Sequence, residues 1–290
     1  AAYGYSRDHR PDTKQINLEA DVAHDGYVPI LYKALPGNTA DITRPVAHLD
    51  ALLRFLGRPE LKERRWRPVL VSDCKMITPE AVCACHGHDL FYLGPLPDSK
   101  ATEALLRSVS APELAAHPLA YRPQRVKPGA ADFVPYQAVW RSFTFEHESQ
   151  QFTDRALVVW SAGKARLDEQ KGKTYLKRLL NGLAAMQKKL NTGRYKKRAY
   201  VEERLVTLQR DHRCKGLVDI DLTGEDGALA LTFRVNRQRL AEVQALNGRY
   251  ALATNAGHLD ANEALTLFKG QDGVEKRFGA LKGPLIVHPL

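Results

Sequence analysis

Residues 67–96, "RPVLVSDCKMITPEAVCACHGHDLFYLGPL", decide the fold class. The run at 67–73 is short, apolar and ends in an acid, the pattern of a buried strand whose C-terminal tip carries Asp73. Thr78 followed by Pro79 supplies an N-cap and a first helical residue, so 77–87 is predicted to be a short helix. "DLFYLGPL" (89–96) then returns to strand character. Upstream, the β-rich runs 15–22 and 27–35 flank "AHDG" as a hairpin would. "PGNTAD" (36–41) is turn chemistry ending in the helix cap Asp41, and a helix over 42–56 puts Val46, Leu49, Leu52, Leu53 and Leu56 on one face. The order β-β-α-β-α-β predicts an α/β protein: a mixed sheet with helices on its faces.

Beyond residue 96 the pattern changes. Residues 97–135 are irregular, with a helix near 101–108, and strands are expected at 138–145 and 152–160. Leu176, Leu179, Leu180, Leu183, Met186 and Leu190 recur at helical spacing, and Leu205 and Leu208 resume it after "NTGRY". Two packed helices with Lys and Arg on their outer faces are the simplest reading. After Cys214 the period returns to two, with "LVDIDLTG" and "GALALTFRVN" around a "GEDG" turn. A strand over 249–255 follows, and Asp260 opens a last helical stretch. There is no internal repeat.

With 290 residues, 44% hydrophobic and 26% charged, the composition is that of an ordinary globular chain. No run of about 18 apolar residues predicts a membrane span, and residues 1–20 are too polar for a signal peptide. The start "AAYGYSRDHR", without Met, is expected of a fragment of a longer protein. Four cysteines give no disulfide framework, so a reducing cytoplasm is expected. The net charge is +10, and residues 164–215 alone hold sixteen Lys and Arg against five Asp and Glu. Such a segment on a near-neutral body is the footprint of a phosphate-backbone binder, with Lys188, Lys189, Lys196 and Lys197 as its densest part; a solvated helix surface is the other reading.

Three places carry residues suited to chemistry. The first is Asp73 with Glu275. On the last helix Phe268, Gln271, Glu275, Phe278 and Lys282 are spaced to share one face. Glu275 is either a ligand for Mg2+, which prefers carboxylate oxygens, or the partner of Arg277 or Lys282 in a surface ion pair. The second is Cys83, Cys85, His86 and His88, with Cys74 nearby, whose spacing is not that of a zinc site; buried thiols are the simpler reading. The third is the loop 4–12, where Arg7, His9, Arg10, Asp8 and Asp12 make either a phosphate-contacting loop or a self-paired turn.

The ordered set "YGYSRDHRPDTKQINL", "PGNTAD", "VLVSDCKMITPE", "FYLGPLP" and "FKGQDGVEKRFGALKGPL" resembles the DDE transposases of bacterial insertion sequences, in the branch with a long insertion between the second and third acids. The resemblance is strongest over 1–96 and 247–290. It implies an RNase H-like (retroviral-integrase-like) mixed-sheet core. Residues 1–96 would form its first part, 97–247 an inserted α+β region and 248–290 its last strand and the helix of the third acid. Asp73 matches the second acid; Glu275 and Lys282 match the third acid and the lysine that follows it. Phe268 and Gln271 stand where the family has Tyr and Arg. The first acid has no counterpart: Asp8 and Asp12 fall in a loop and Asp21 ends the next strand.

The implied activity is Mg2+-dependent phosphodiester cleavage and strand transfer, with Mn2+ as a substitute, on double-stranded DNA of element ends and target. The full-length protein would act as a homodimer in a synaptic complex, in the bacterial cytoplasm and on the nucleoid, without a membrane partner. Asp73 and Glu275 would hold the metal. Lys282, about 10.5 Å from Glu275 by helix rise, Gln271 and Arg277 would contact DNA with the four lysines above. Without the first acid this chain alone is expected to cleave poorly. The alternatives are a catalytically inactive, transposase-derived DNA-binding protein and an RNase H-like nuclease of another kind.

Overall fold

The computed structural model describes residues 2–3, 14–38, 45–57, 68–72, 76–123, 125–127, 129, 133–211, 216–271 and 273. It is an α/β protein of two compact units: residues 1–159 with 250–290, and residues 160–249. The described strands and helices are, in order, β1 (Ala2–Tyr3), β2 (Lys14–Val22), β3 (Pro29–Pro36), α1 (Pro45–Leu56), β4 (Val69–Val71), α2 (Pro79–Gly87), β5 (Phe91–Pro95), α3 (Lys100–Arg107), α4 (Ala111–Ala115), β6 (Gln137–His147), β7 (Gln150–Trp160), α5 (Ala162–Lys189), a 3-10 turn (Gly193–Lys196), α6 (Arg198–Asp211), β8 (Val218–Thr223), β9 (Ala230–Val235), α7 (Arg237–Gln244), β10 (Arg249–Thr254) and α8 (Ala261–Lys269).

In the first unit β1, β2 and β3 form an antiparallel sheet, with Tyr3 opposite Lys14 and Leu18 opposite Ala34. A second, mixed sheet has the order β4-β5-β10-β7-β6. There β4 runs parallel to β5, with Val71 opposite Leu93, and β10 runs antiparallel to β5, with Thr254 opposite Leu93. The parallel pair requires a crossover, and α2 supplies it. The Thr78 hydroxyl accepts the Ala81 N–H, Pro79 sits in the first turn, and Ala81, Val82 and Cys85 face inward. Gly94 is needed where α2 approaches β5: a Cβ there would lie 2.6 Å from Ile77 Cγ1.

In the second unit α5 and α6 cross tightly. Leu179, Leu183 and Met186 pack on Val201 and Leu205, and Leu217, Val218, Leu222, Leu229 and Leu231 of the β8–β9 hairpin complete this core. At Gly182 a Cβ would stand 2.8 Å from Leu208 Cδ1, so the crossing uses the missing side chain.

Most predicted elements lie within a few residues of the observed ones. Some differences have clear causes. Strands β6 and β7, expected inside the insertion over 97–247, are hydrogen-bonded into the five-stranded sheet, and the compact units divide at 160 and 249 instead. The helix opened by Asp260 ends at Lys269: the Gly270 N–H closes on Thr266 O at 3.0 Å, and Gln271 lies in the following turn. A continuous helical face joining Phe268 to Gln271 is therefore not what the described residues form. Among the described residues no helix is long and apolar enough to cross a membrane.

Candidate active site and nucleic-acid interface

Asp73, Glu275, Arg277 and Lys282 lie outside the described residues, as do Cys74, Asp8 and Asp12. Their flanks are described. The strand that leads to Asp73 is β4, whose end is held by the Ser72 N–H on Leu93 O at 3.0 Å. The helix that leads toward Glu275 is α8. Its start is fixed by a reciprocal capping box, in which Asp260 accepts the Glu263 N–H and Glu263 accepts the Asp260 N–H. Both elements pack into one apolar cluster: Val69 and Val71 of β4, with Leu265, Leu267 and Phe268 of α8, surround Leu93, Leu157, Val159 and Leu252. By strand alternation Val69 and Val71 share one face of β4, and that face is the one packed on this cluster.

After α8 the chain is pinned a second time. Gly273 is buried against the Tyr27 ring in the β2–β3 connection, and a Cβ at 273 would run into that ring. Gln271, two residues before it, is half-buried. Lys269 sits 5.4 to 5.6 Å from the ring centres of Tyr250, Tyr136 and Phe268. Burial holds its ammonium below the usual lysine range, and the three ring faces supply the compensating attraction. Burial likewise pushes the Tyr250 phenol up.

One polar cluster had no part in the sequence argument. Asp154 on β7 is buried; its Oδ2 accepts the Tyr92 hydroxyl at 2.6 Å and lies 2.9 Å from His86 Nε2. His86 also stacks on Phe152. Burial, then the Asp154 charge, pushes the Cys85 thiol up to about 12 and the Tyr92 phenol higher still. Cys83 points elsewhere and donates to Gln150 Oε1. The sulfur and imidazole groups of "CACHGH" are thus divided among separate partners. Among the described residues no group of three or more His, Cys, Asp or Glu is arranged to hold a metal ion. The signal for Asp154 was an acid in the apolar run "FTDRALVVW", at the same strand parity as the buried Ala156 and Val158.

Chain comparisons with protein-family models, curated proteins and solved structures give no match.

The basic segment is fully described up to residue 211. Residues 160–249 contain twenty Lys and Arg and ten Asp and Glu, so this unit carries the entire formal charge of +10 and the remainder of the chain is neutral. Lys188 and Lys189 are exposed at the end of α5; Lys196 and Lys197 are exposed at the 3-10 turn that leads into α6. This elbow is held rigidly. The Asn191 amide bonds Leu229 N–H at 2.7 Å and Leu229 O at 2.9 Å, and Gly227 N–H bonds Lys196 O at 2.8 Å. Arg198 is spent internally on Glu202, Leu222 O and Gly224 O. The four lysines, by contrast, have no ion-pair partner among the described residues.

Proposed function

We propose that the chain is part of a DDE transposase with an RNase H-like core. The observation that carries this reading is the shared cluster of β4 and α8: the segments leading to Asp73 and to Glu275, some 200 residues apart in sequence, enter the same packed core. Two acids so distant in the chain gain a common purpose when their supporting elements pack together. A hard oxygen donor set suits Mg2+ or Mn2+, and Asp73 and Glu275 would hold that ion. The bound ion would polarise the scissile phosphate and stabilise the leaving oxygen. The chain's own residues would do the rest: Lys282, Arg277 and Gln271 would hold flanking phosphates, and Lys188, Lys189, Lys196 and Lys197 would hold the DNA backbone. Such a protein works on element ends and target duplex, as a homodimer, in the bacterial cytoplasm.

In the full-length protein, Asp73→Asn and Glu275→Gln should each abolish Mg2+-dependent nicking of a supercoiled plasmid carrying the element ends, with DNA affinity within twofold of the parent. Nicking by either variant at more than a tenth of the parental rate removes the assignment. The second reading, a DNA-binding protein without catalysis, draws support from the confinement of all net charge to residues 160–249. Parental protein that binds DNA but never nicks it selects this second reading.

A further inference from the structure

We propose that α5 is a recognition helix that lies in the major groove of duplex DNA. This deepens the DNA contact of the proposed function and does not depend on Asp73 or Glu275. With about 3.6 residues per turn, Gln170, Thr174, Asn181 and Ala185 fall in one line down the solvent side of α5, opposite Leu176, Leu179, Leu183 and Met186 in the core. Lys171, Arg178 and Lys189 run along one flank of that line; Lys177 borders the other, and Lys188, five full turns after Gln170, falls in the line itself. All nine outward residues are exposed. The five cations form no ion pair among the described residues, whereas Lys164 and Lys173 are neutralised by Asp168 and Glu169 at 2.6 Å. No acid occurs from residue 170 to residue 201.

A polar line bordered on both sides by cations matches one ligand well. A helix with its side chains is about 10–12 Å across and the B-DNA major groove about 12 Å wide. The bordering cations meet phosphates at the groove edges, while Gln170 and Asn181 present amides, the groups that pair with adenine edges. The Thr174 hydroxyl donates to Gln170 O at 2.9 Å, which turns its lone pairs outward. Single strands are bound by stacking on aromatic rings, and the one aromatic of α5, Tyr175, packs on the core instead. A bilayer surface needs a free apolar face; that of α5 is buried in the core, leaving Leu167 as its exposed large apolar residue.

The test uses the full chain in EDTA and a 30-base-pair duplex that the chain itself enriches from a random pool, read by fluorescence anisotropy against salt. Each phosphate contact contributes about 0.9 to the slope of log K on log salt. The double variant Lys177→Gln, Lys188→Gln should therefore be shallower by about 1.8 and bind about 60-fold more weakly at 0.1 M salt, with an unchanged circular dichroism spectrum. Asn181→Asp, which sets a carboxylate at the centre of the outward face, should weaken binding more than tenfold. Guanine N7 atoms of the duplex should be protected from dimethyl sulfate. Unchanged slope and affinity in both variants, unprotected N7 atoms, or tighter binding of duplex RNA or single-stranded DNA of equal length would each overturn the proposal. Because EDTA suppresses metal chemistry, loss of nicking with binding intact sinks only the catalytic reading, and loss of binding in the α5 variants tests only this one.

Discussion

Replacing Asp154 by Ala should loosen the five-stranded sheet where α2 packs on it. The carboxylate accepts the Tyr92 hydroxyl at 2.6 Å and meets His86 Nε2 at 2.9 Å, and its side chain is only 5% exposed. A hydrogen bond to a charged group contributes about 1.5–3 kcal/mol, and a buried hydroxyl left without a partner costs about 1–3 kcal/mol. Some of this is recovered, because the desolvated carboxylate is itself removed. The expected net loss is about 3–5 kcal/mol. Asn at the same place keeps an acceptor for Tyr92 and should lose about 1–2 kcal/mol. Since the chain has two compact units, a single unfolding midpoint would mix them. Native-state hydrogen exchange of β5 and β7 reads this unit alone. A loss of about 3–5 kcal/mol accelerates exchange through global opening by roughly 10²- to 4 × 10³-fold, at about 1.4 kcal/mol per decade. Tyr92→Phe measured alone and with Asp154→Ala completes a double-mutant cycle, in which the pair should couple by more than 1 kcal/mol. Exchange in Asp154→Ala within threefold of the parent would refute the view that this carboxylate ties β7 to β5 and α2.

Two other expectations concern packing and pH. His48 on α1 reaches Asp21 Oδ1 at 2.9 Å and stands 3.6 Å from Glu19, and the hydrogen bond to Asp21 raises its pKa above the ordinary 6.5. Its contribution to stability is therefore complete below about 6.5 and is lost as pH rises through the elevated folded value. His48→Gln should flatten the difference in thermal midpoint between about pH 5.5 and 8.5; an identical pH profile in the variant would exclude the contact. At Gly182 the Leu208 methyl carbons stand 2.8 and 2.9 Å from where a Cβ would be. Gly182→Val should cost about 1–3 kcal/mol by overpacking, seen as faster exchange in α6. Relief on adding Leu208→Ala would identify the clash as the cause, and no relief would exclude it.

The local elements were legible because their signals are local. Thr78-Pro79 starts α2, the Asp260 and Glu263 pair starts α8, and period-two runs around "GEDG" give β8 and β9. Pairing across long distances was not legible. Strands β6 and β7 read as strands, yet nothing in "AVWRSFTF" or "FTDRALVVW" states that β10, almost a hundred residues later, will lie beside β7. Helix α7 passed unnoticed because its stretch "RQRLAEVQ" has too few apolar residues to set a period, and its start depends on the Asn236 side chain. The Asp154 cluster needed three elements at once, α2, β5 and β7, which no spacing rule connects. For the site, the flanks of Asp73 and Glu275 were legible as a strand end and a helix, but the break at Gly270 was not. Helical spacing counts residues and cannot see that Gly273 meets the Tyr27 ring from another part of the chain.

The division of charge bears on the choice between the proposed transposase and a nuclease. A nuclease that only needs to grip its substrate near the metal would gather its cations around the carboxylates. Here the unit holding β4 and α8 is formally neutral, and the unit built on α5 and α6 carries everything, with a core of its own. Under the proposed function affinity and chemistry would be separable quantities: salt would control the first through counterion release, and the divalent ion the second. A protein that must stay on a DNA end through successive cutting and joining steps benefits from that separation, because the grip does not change as phosphodiester bonds at the metal break and form. A simple nuclease gains nothing from it. If charge-neutral variants of α5 lowered the cleavage rate at saturating DNA as much as they lowered affinity, grip and chemistry would be one function, and the argument for a transposase over a nuclease would lose its basis.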